Sequence, residues 1–250
     1  MRILLAVLLS LSSGLYAAWA TGTTAVYDFE NNLTDSTGQA ADATTSGAIS
    51  YVTDGAINGT YAIAPTVAGS GAYVQFPSAL INAAQGAVEF YIKGSQTVGG
   101  AQNLFYVNRT DGLGIAWEIF FEALAMRADL NNAKICGPVA PIPVLGQQYY
   151  LAVTWGPSGT YYYIATATGL GNIGTKTLFC SSGTPPTFTG TNMVRLFRPF
   201  NATDYWNNTS GADFVRFSNV YKAAGDLPTV DPAPVVTPAP MYKFVGKRIQ

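Results

Sequence analysis

Between residues 24 and 218 the chain repeats one local pattern: apolar and polar residues alternate over short runs, and Gly, Asn, Asp or Pro closes nearly every run. A period of two sends successive side chains to opposite faces, as a half-buried β-strand requires and a helix of period 3.6 does not allow. Strands are predicted at 24–29, 48–52, 72–76, 87–93, 104–108, 115–121, 124–129, 149–155, 161–166, 175–179, 193–198 and 213–218. A sheet with one apolar face must cover it, so about a dozen short strands imply two antiparallel sheets packed face to face. No long segment beyond the first twenty residues has a helical period, and no repeat at a fixed spacing signals a solenoid or propeller.

The two ends depart from this pattern. Met1-Arg2, an apolar stretch from Ile3 to Leu11 and the small-residue site Ala18-Trp19-Ala20 predict a signal peptide over 1–20, cut after Ala20. Its apolar core falls well short of the roughly 20 residues a spanning helix needs, so no membrane span is expected after cleavage. The predicted destination is secretion, to the extracellular space, the cell surface or a periplasm. One domain is expected over 21–225. From 226 to 250 proline alternates with small residues and the chain closes on Met241-Tyr242-Lys243-Phe244-Val245 and three cationic side chains. Such a tail reads as an extended spacer whose end is either unstructured or a strand that docks, on a surface or on another copy of the chain.

Charge and residue counts remove several function classes. Charged residues make up 11% of the chain and the formal net charge is −1, which leaves no basic patch for nucleic acid. There is no histidine, so Ser-His-Asp and Cys-His catalysis and the common zinc sites are excluded. Cys136 and Cys180 form an even pair in an export-directed chain, which favours a disulfide over two buried thiols.

Sugar recognition calls for aromatic faces against the apolar side of a ring and amides for its hydroxyls. Tyr205-Trp206-Asn207-Asn208, in a predicted loop, offers both, and Tyr161 and Tyr163 share the strand face opposite Tyr162. Buried core tyrosines would explain the latter pair equally well. Asn-x-Ser/Thr occurs at Asn32, Asn58, Asn108, Asn201, Asn207 and Asn208, each a glycan acceptor if the chain passes a eukaryotic secretory path.

Three segments together resemble the laminin-G-like branch of the concanavalin A-like lectin and glucanase jelly rolls. The opening strand and turn run from Val26 to Gly38 through Asp35-Ser36-Thr37-Gly38. The middle joins 71–77, 86–93 and the stretch Gly146-Gln147-Gln148-Tyr149-Tyr150-Leu151-Ala152-Val153-Thr154-Trp155, and the closing strand is Asp213-Phe214-Val215-Arg216-Phe217-Ser218-Asn219. The resemblance implies an all-β, two-sheet antiparallel jelly-roll sandwich. It also implies a structural calcium ion between the first and last strands, held by Asp213 with Asp28 or Glu30.

Glucanases of that superfold carry Glu-x-Asp-x-x-Glu on one strand. The nearest segment here is Trp117-Glu118-Ile119-Phe120-Phe121-Glu122-Ala123, with Phe120 at the Asp position and Ala123 at the second Glu. Glu118 and Glu122 share a strand face, but at about 3.3 Å per residue their backbones lie roughly 13 Å apart, against the 5–9.5 Å or so between glycosidase carboxyls. A lyase with a Tyr base and Arg127 or Arg198 neutralising a carboxylate is singled out by nothing in the sequence. The leading expectation is therefore a non-catalytic module that recognises glycan or a glycosylated surface. The alternative is a structural subunit of a surface assembly, ahead of a glycoside hydrolase or polysaccharide lyase.

Overall fold

The computed structural model describes residues 19–67, 71–94, 102–109, 114–122, 125–139, 144, 146–188, 193–197, 211–229 and 231. The first half contains β1 (Thr23–Tyr27), β2 (Thr44–Ser46), β3 (Ile49–Val52), β4 (Ala62–Pro65), β5 (Tyr73–Phe76), β6 (Gly86–Lys93), β7 (Gln102–Asn108) and β8 (Ile115–Glu122). The second half contains β9 (Ala125–Leu130), β10 (Ala133–Val139), β11 (Gln148–Gly156), β12 (Gly159–Gly169), β13 (Asn172–Ile173), β14 (Thr177–Ser182), β15 (Val194–Leu196) and β16 (Ala212–Ser218). Among the described residues there is no α-helix, only single 3-10 turns at Ser78–Leu80 and Ala224–Asp226.

One sheet of nine strands runs β13-β12-β11-β6-β16-β4-β3, with β1 on β16 and β14 on β12. A second sheet of seven runs β10-β9-β8-β7-β15-β5-β2. The strands pair antiparallel, and the two sheets pack as the sandwich that the alternation predicted and the family resemblance implied. Four strands escaped prediction: β2, β4, β10 and β13. Ala62–Pro65 is buried at every position and so shows no alternation, and β10 contains Gly137-Pro138, which reads as a turn.

Alternation decides which residues enter the core. Tyr149, Leu151, Val153 and Trp155 of β11 point inward with Val88, Phe90 and Ile92 of β6, against Trp117, Ile119 and Phe121 of β8. Phe76, Phe105 and Trp117 stack in sequence, with centroids 5.8 and 5.5 Å apart, and Trp155 closes the series 6.0 Å from Trp117. Each such side chain removed from water stabilises the fold by about 1.5–3 kcal/mol. The Cys136–Cys180 disulfide then joins β10 of one sheet to β14 of the other, with Cα atoms 5.8 Å apart, well within the usual span.

Asp35 fixes the opening turn. It is 2% exposed, and its carboxylate accepts bonds from the amides of Val26, Thr37, Gln39 and Ala40 and from the Thr37 hydroxyl. Burial pushes its pKa up, but these bonds outweigh burial and hold it below the ordinary carboxylate value. On β16, next to β1, fully buried Asp213 accepts from the amides of Ile57, Asn58 and Phe214 at 2.8, 2.9 and 2.7 Å. Burial, opposed by those three bonds, pushes its pKa up to about 7.

The boundary expected after Gly225 falls inside a packed strap. Leu227 is buried on the outer face of the nine-stranded sheet with Val26, Tyr91, Tyr150, Tyr163 and Phe214. Arg216 donates to the Thr229 carbonyl at 2.7 Å and pairs with Asp231 at 2.5 Å, while the Thr229 amide donates to Glu89 at 2.6 Å. Residues 1–18 of the predicted signal peptide 1–20 and the remainder of the tail, 230 and 232–250, lie outside the described residues.

Two outcomes follow from these contacts. Ending the chain at Gly225 strips Leu227 from its cluster and leaves Arg216 and Glu89 without strap partners. Denaturant titration should show a loss of about 2–4 kcal/mol, and an unchanged midpoint would show that the strap contributes nothing. For Asp35, a lowered folded pKa means the native state binds fewer protons than the unfolded chain. Its contribution is complete above the ordinary value of about 3.9 and is lost as pH falls through that value towards the folded one. Asp35→Asn should destabilise the protein at neutral pH and flatten that acid limb; an equally steep limb would assign it to other groups.

Candidate functional site

With the apolar residues of both sheets turned inward, the outer face of the seven-stranded sheet collects the polar partners of the alternation. Six strands place one residue each in a continuous cross-strand row. Gln75 on β5 faces Arg195 on β15, and Arg195 faces Tyr106 on β7. Tyr106 faces Glu118 on β8, Glu118 faces Asp129 on β9, and Asp129 faces Lys134 on β10. At about 4.8 Å per strand spacing the row is about 24 Å long. Flanking positions on the same face add Tyr73 on β5, Asn103 on β7 and the opposed pair Phe120 and Arg127.

The row is buried in the middle and exposed at its Lys134 end. Tyr106, Glu118, Asn103 and Phe120 are buried, Gln75, Arg195, Arg127 and Asp129 are half-buried, and Lys134 is exposed. Asn103 Nδ2 donates to Glu118 Oε2 at 2.9 Å, which fixes the carboxylate. Arg195 lies over the Tyr73 ring at 4.1 Å and donates from Nε to Gln75 Oε1 at 3.2 Å, so its plane is held along the sheet. Arg127, Arg195 and Lys134 outnumber Glu118 and Asp129, a local cationic excess on a chain of formal net charge −1. The face thus combines aromatic rings, an amide-fixed carboxylate and guanidinium groups in one row.

The sequence candidates distribute unevenly. Glu118 and Arg127 belong to the row. The side chain of Glu122, together with Tyr205, Trp206, Asn207, Asn208 and Arg198, lies outside the described residues. Tyr161 and Tyr163 sit on the outer face of the other sheet, with Tyr162 turned into the core as the alternation required. Tyr161 donates to the Ser158 carbonyl at 3.1 Å and meets Tyr221 edge to face, whereas Tyr163 is almost fully buried. Asn108 is buried and accepts from the Met193 amide, so its sequon is closed to a glycan in the folded protein, whereas Asn32 is exposed.

Asp28 and Asp213 each accept hydrogen bonds from the protein itself. Asp28 accepts from Ser36 Oγ at 2.7 Å, and the two oxygens of Asp213 are aimed at three amide protons, the environment of an anchored anion. Glu30 accepts in the same way, from the amides of Thr60 and Tyr61. Among the described residues no group of three or more Cys, Asp or Glu side chains gathers to hold a metal.

Asp129, Tyr106, Arg195 and Asn103 escaped the sequence reading. Each stands at an outward position of an alternating strand, but only the strand order and register bring them together. Asp129 is directly opposite Glu118, which puts their Cβ atoms about 5 Å apart, far closer than the same-strand pair Glu118 and Glu122.

No known family description matches the chain, and no curated protein matches it. Among solved structures it is similar to domain 4 of AbnA, an extracellular arabinanase from Geobacillus stearothermophilus in complex with arabinotriose, at 18% identity and a TM-score of 0.56. That match covers 82% of this chain and 95% of the domain. A mutant Trypanosoma rangeli sialidase displaying trans-sialidase activity matches at 12% identity and a TM-score of 0.58, over 82% of this chain and 32% of its own. The receptor binding domain of botulinum neurotoxin mosaic serotype C/D matches at 12% identity and a TM-score of 0.53, over 82% of this chain and 49% of its own. At these identities the likeness is one of fold: a β-sandwich that also occurs in proteins acting on or binding carbohydrate.

Proposed function

We propose that the protein is an exported, non-catalytic recognition module of the laminin-G-like type that binds an acidic glycan, or a surface bearing one, along the outer face of its seven-stranded sheet. The row Arg195-Tyr106-Glu118-Asp129 with its flanking Arg127 carries the proposal. Guanidinium forks match carboxylate and sulfate groups, and the half-buried ring of Tyr73 suits the apolar face of a sugar ring. An amino-terminal leader and a disulfide agree with export. In this reading the segment beyond Asp231 serves to tether or dock the module.

The facing of Glu118 and Asp129 favours a second reading, glycoside hydrolysis, because opposed strands bring two carboxyls to a separation that glycosidases use.

Calorimetry on the intact protein separates the two. Uronate or sulfated oligosaccharides should bind and neutral ones of equal length should not. Arg195→Ala should weaken binding by about tenfold or more, with Arg195→Lys only partly restoring it. Equal affinity for neutral chains, or indifference to Arg195, would overturn the proposal. Prolonged incubation with the same oligosaccharides should release no new reducing ends. Release that vanishes in Glu118→Gln while binding persists would establish the hydrolase instead.

A further inference from the structure

On the opposite side of the sandwich, the strap over the nine-stranded sheet leaves a cavity of ≈ 170 Å³ beneath it. Its floor is Glu89 and Tyr91 of β6 with Phe214 and Arg216 of β16, its roof is Pro228, Thr229 and Asp231, and Leu170 stands at its rim. A cavity of about 150 Å³ accepts a benzene-sized ring, so this one has room for a single six-membered ring with small substituents.

Two polar groups at the cavity are unfinished. Glu89 is 3% exposed, and its Oε1 accepts from the Tyr150 hydroxyl at 2.8 Å and from the Thr229 amide, while Oε2 is buried with no partner. Arg216, directly opposite Glu89 across the strands and 2% exposed, commits Nη1 to Thr229 and Nη2 to Asp231, while its Nε is buried with no partner. Leaving such groups unpaired costs about 1–3 kcal/mol each, more when charged, and a ligand that supplies a donor to one and an acceptor to the other recovers that cost. Glu89 and Asp231 against the single Arg216 leave the lining one negative charge in excess. The donor that suits Glu89 Oε2 is therefore an ammonium, and the rings of Tyr91 and Phe214 provide walls for an adjoining ring.

We propose that this cavity is a binding site for a small single-ring amine of the hexosamine class, its amino group on Glu89 and a hydroxyl accepting from Arg216 Nε. The site is separate from the row on the other sheet and selects for the opposite charge, so failure of one leaves the other standing.

Ligand-observed NMR and calorimetry on the full chain, with glucosamine as probe and glucose and glucuronate as comparators, test the proposal. Glucosamine should bind about tenfold or more tighter than glucose, and glucuronate should not bind. Glu89→Gln, which keeps shape but removes charge, should reduce glucosamine to the level of glucose. Leu170→Trp, at a position 43% exposed and tolerant of change, should block the mouth and abolish binding even if the Glu89 variant fails to fold. Arg195→Ala should leave glucosamine binding unchanged. No binding of glucosamine, affinity no better than that of glucose, or affinity that survives both the Glu89 and Leu170 changes would overturn the proposal.

Discussion

The aromatic stack between the sheets, from Phe76 through Phe105 and Trp117 to Trp155, is the contact on which the remaining structure depends. It demands large apolar side chains at every inward position of β5, β7, β8 and β11. Strand geometry then obliges the intervening residues to face out. The inner layer is thereby apolar, and the polar side chains of these strands among the described residues are displaced to the outer faces.

Those faces differ in kind. On the seven-stranded sheet the outward residues form a cationic, aromatic row whose middle, Tyr106, Glu118 and Phe120, is buried. On the nine-stranded sheet they are apolar or paired, and the strap from Leu227 to Asp231 covers them. Glu89 and Arg216 lie between sheet and strap, held by it yet incompletely satisfied. A tail that looked separable by composition thus contributes both to stability and to the lining of a cavity that holds a buried glutamate and arginine. Proline at 228 does not prevent this, because the strap contacts the sheet through side chains and two backbone groups of Thr229 and adds no strand to it.

Much of the fold was legible because alternation is a local signal. Tyr161, Tyr162 and Tyr163 went to the faces their order assigned them, and Cys136 and Cys180 pair as the compartment argument expected. Buried Ala62–Pro65 was not legible, since a strand covered on both sides loses the period that announces it. The candidate site was legible only in fragments. Glu118 stood out because of its glutamate neighbour four residues on, but its real neighbours are Tyr106 and Asp129, and nothing local records which strands will be adjacent or in what register. Asp213 was read as a metal ligand from its place in the closing strand; two of the three amides that it binds come from residues more than 150 positions away.

The central claim is that the outer face of the seven-stranded sheet is where the protein meets its ligand. Amide chemical shifts recorded during titration with a uronate oligosaccharide test it most directly. The account predicts that the perturbed amides cluster on β7, β8, β9 and β15, centred on Tyr106 and Glu118, while those of β6, β16 and the strap stay in place. A perturbation centred on the nine-stranded sheet, with β7 to β9 silent, would contradict it.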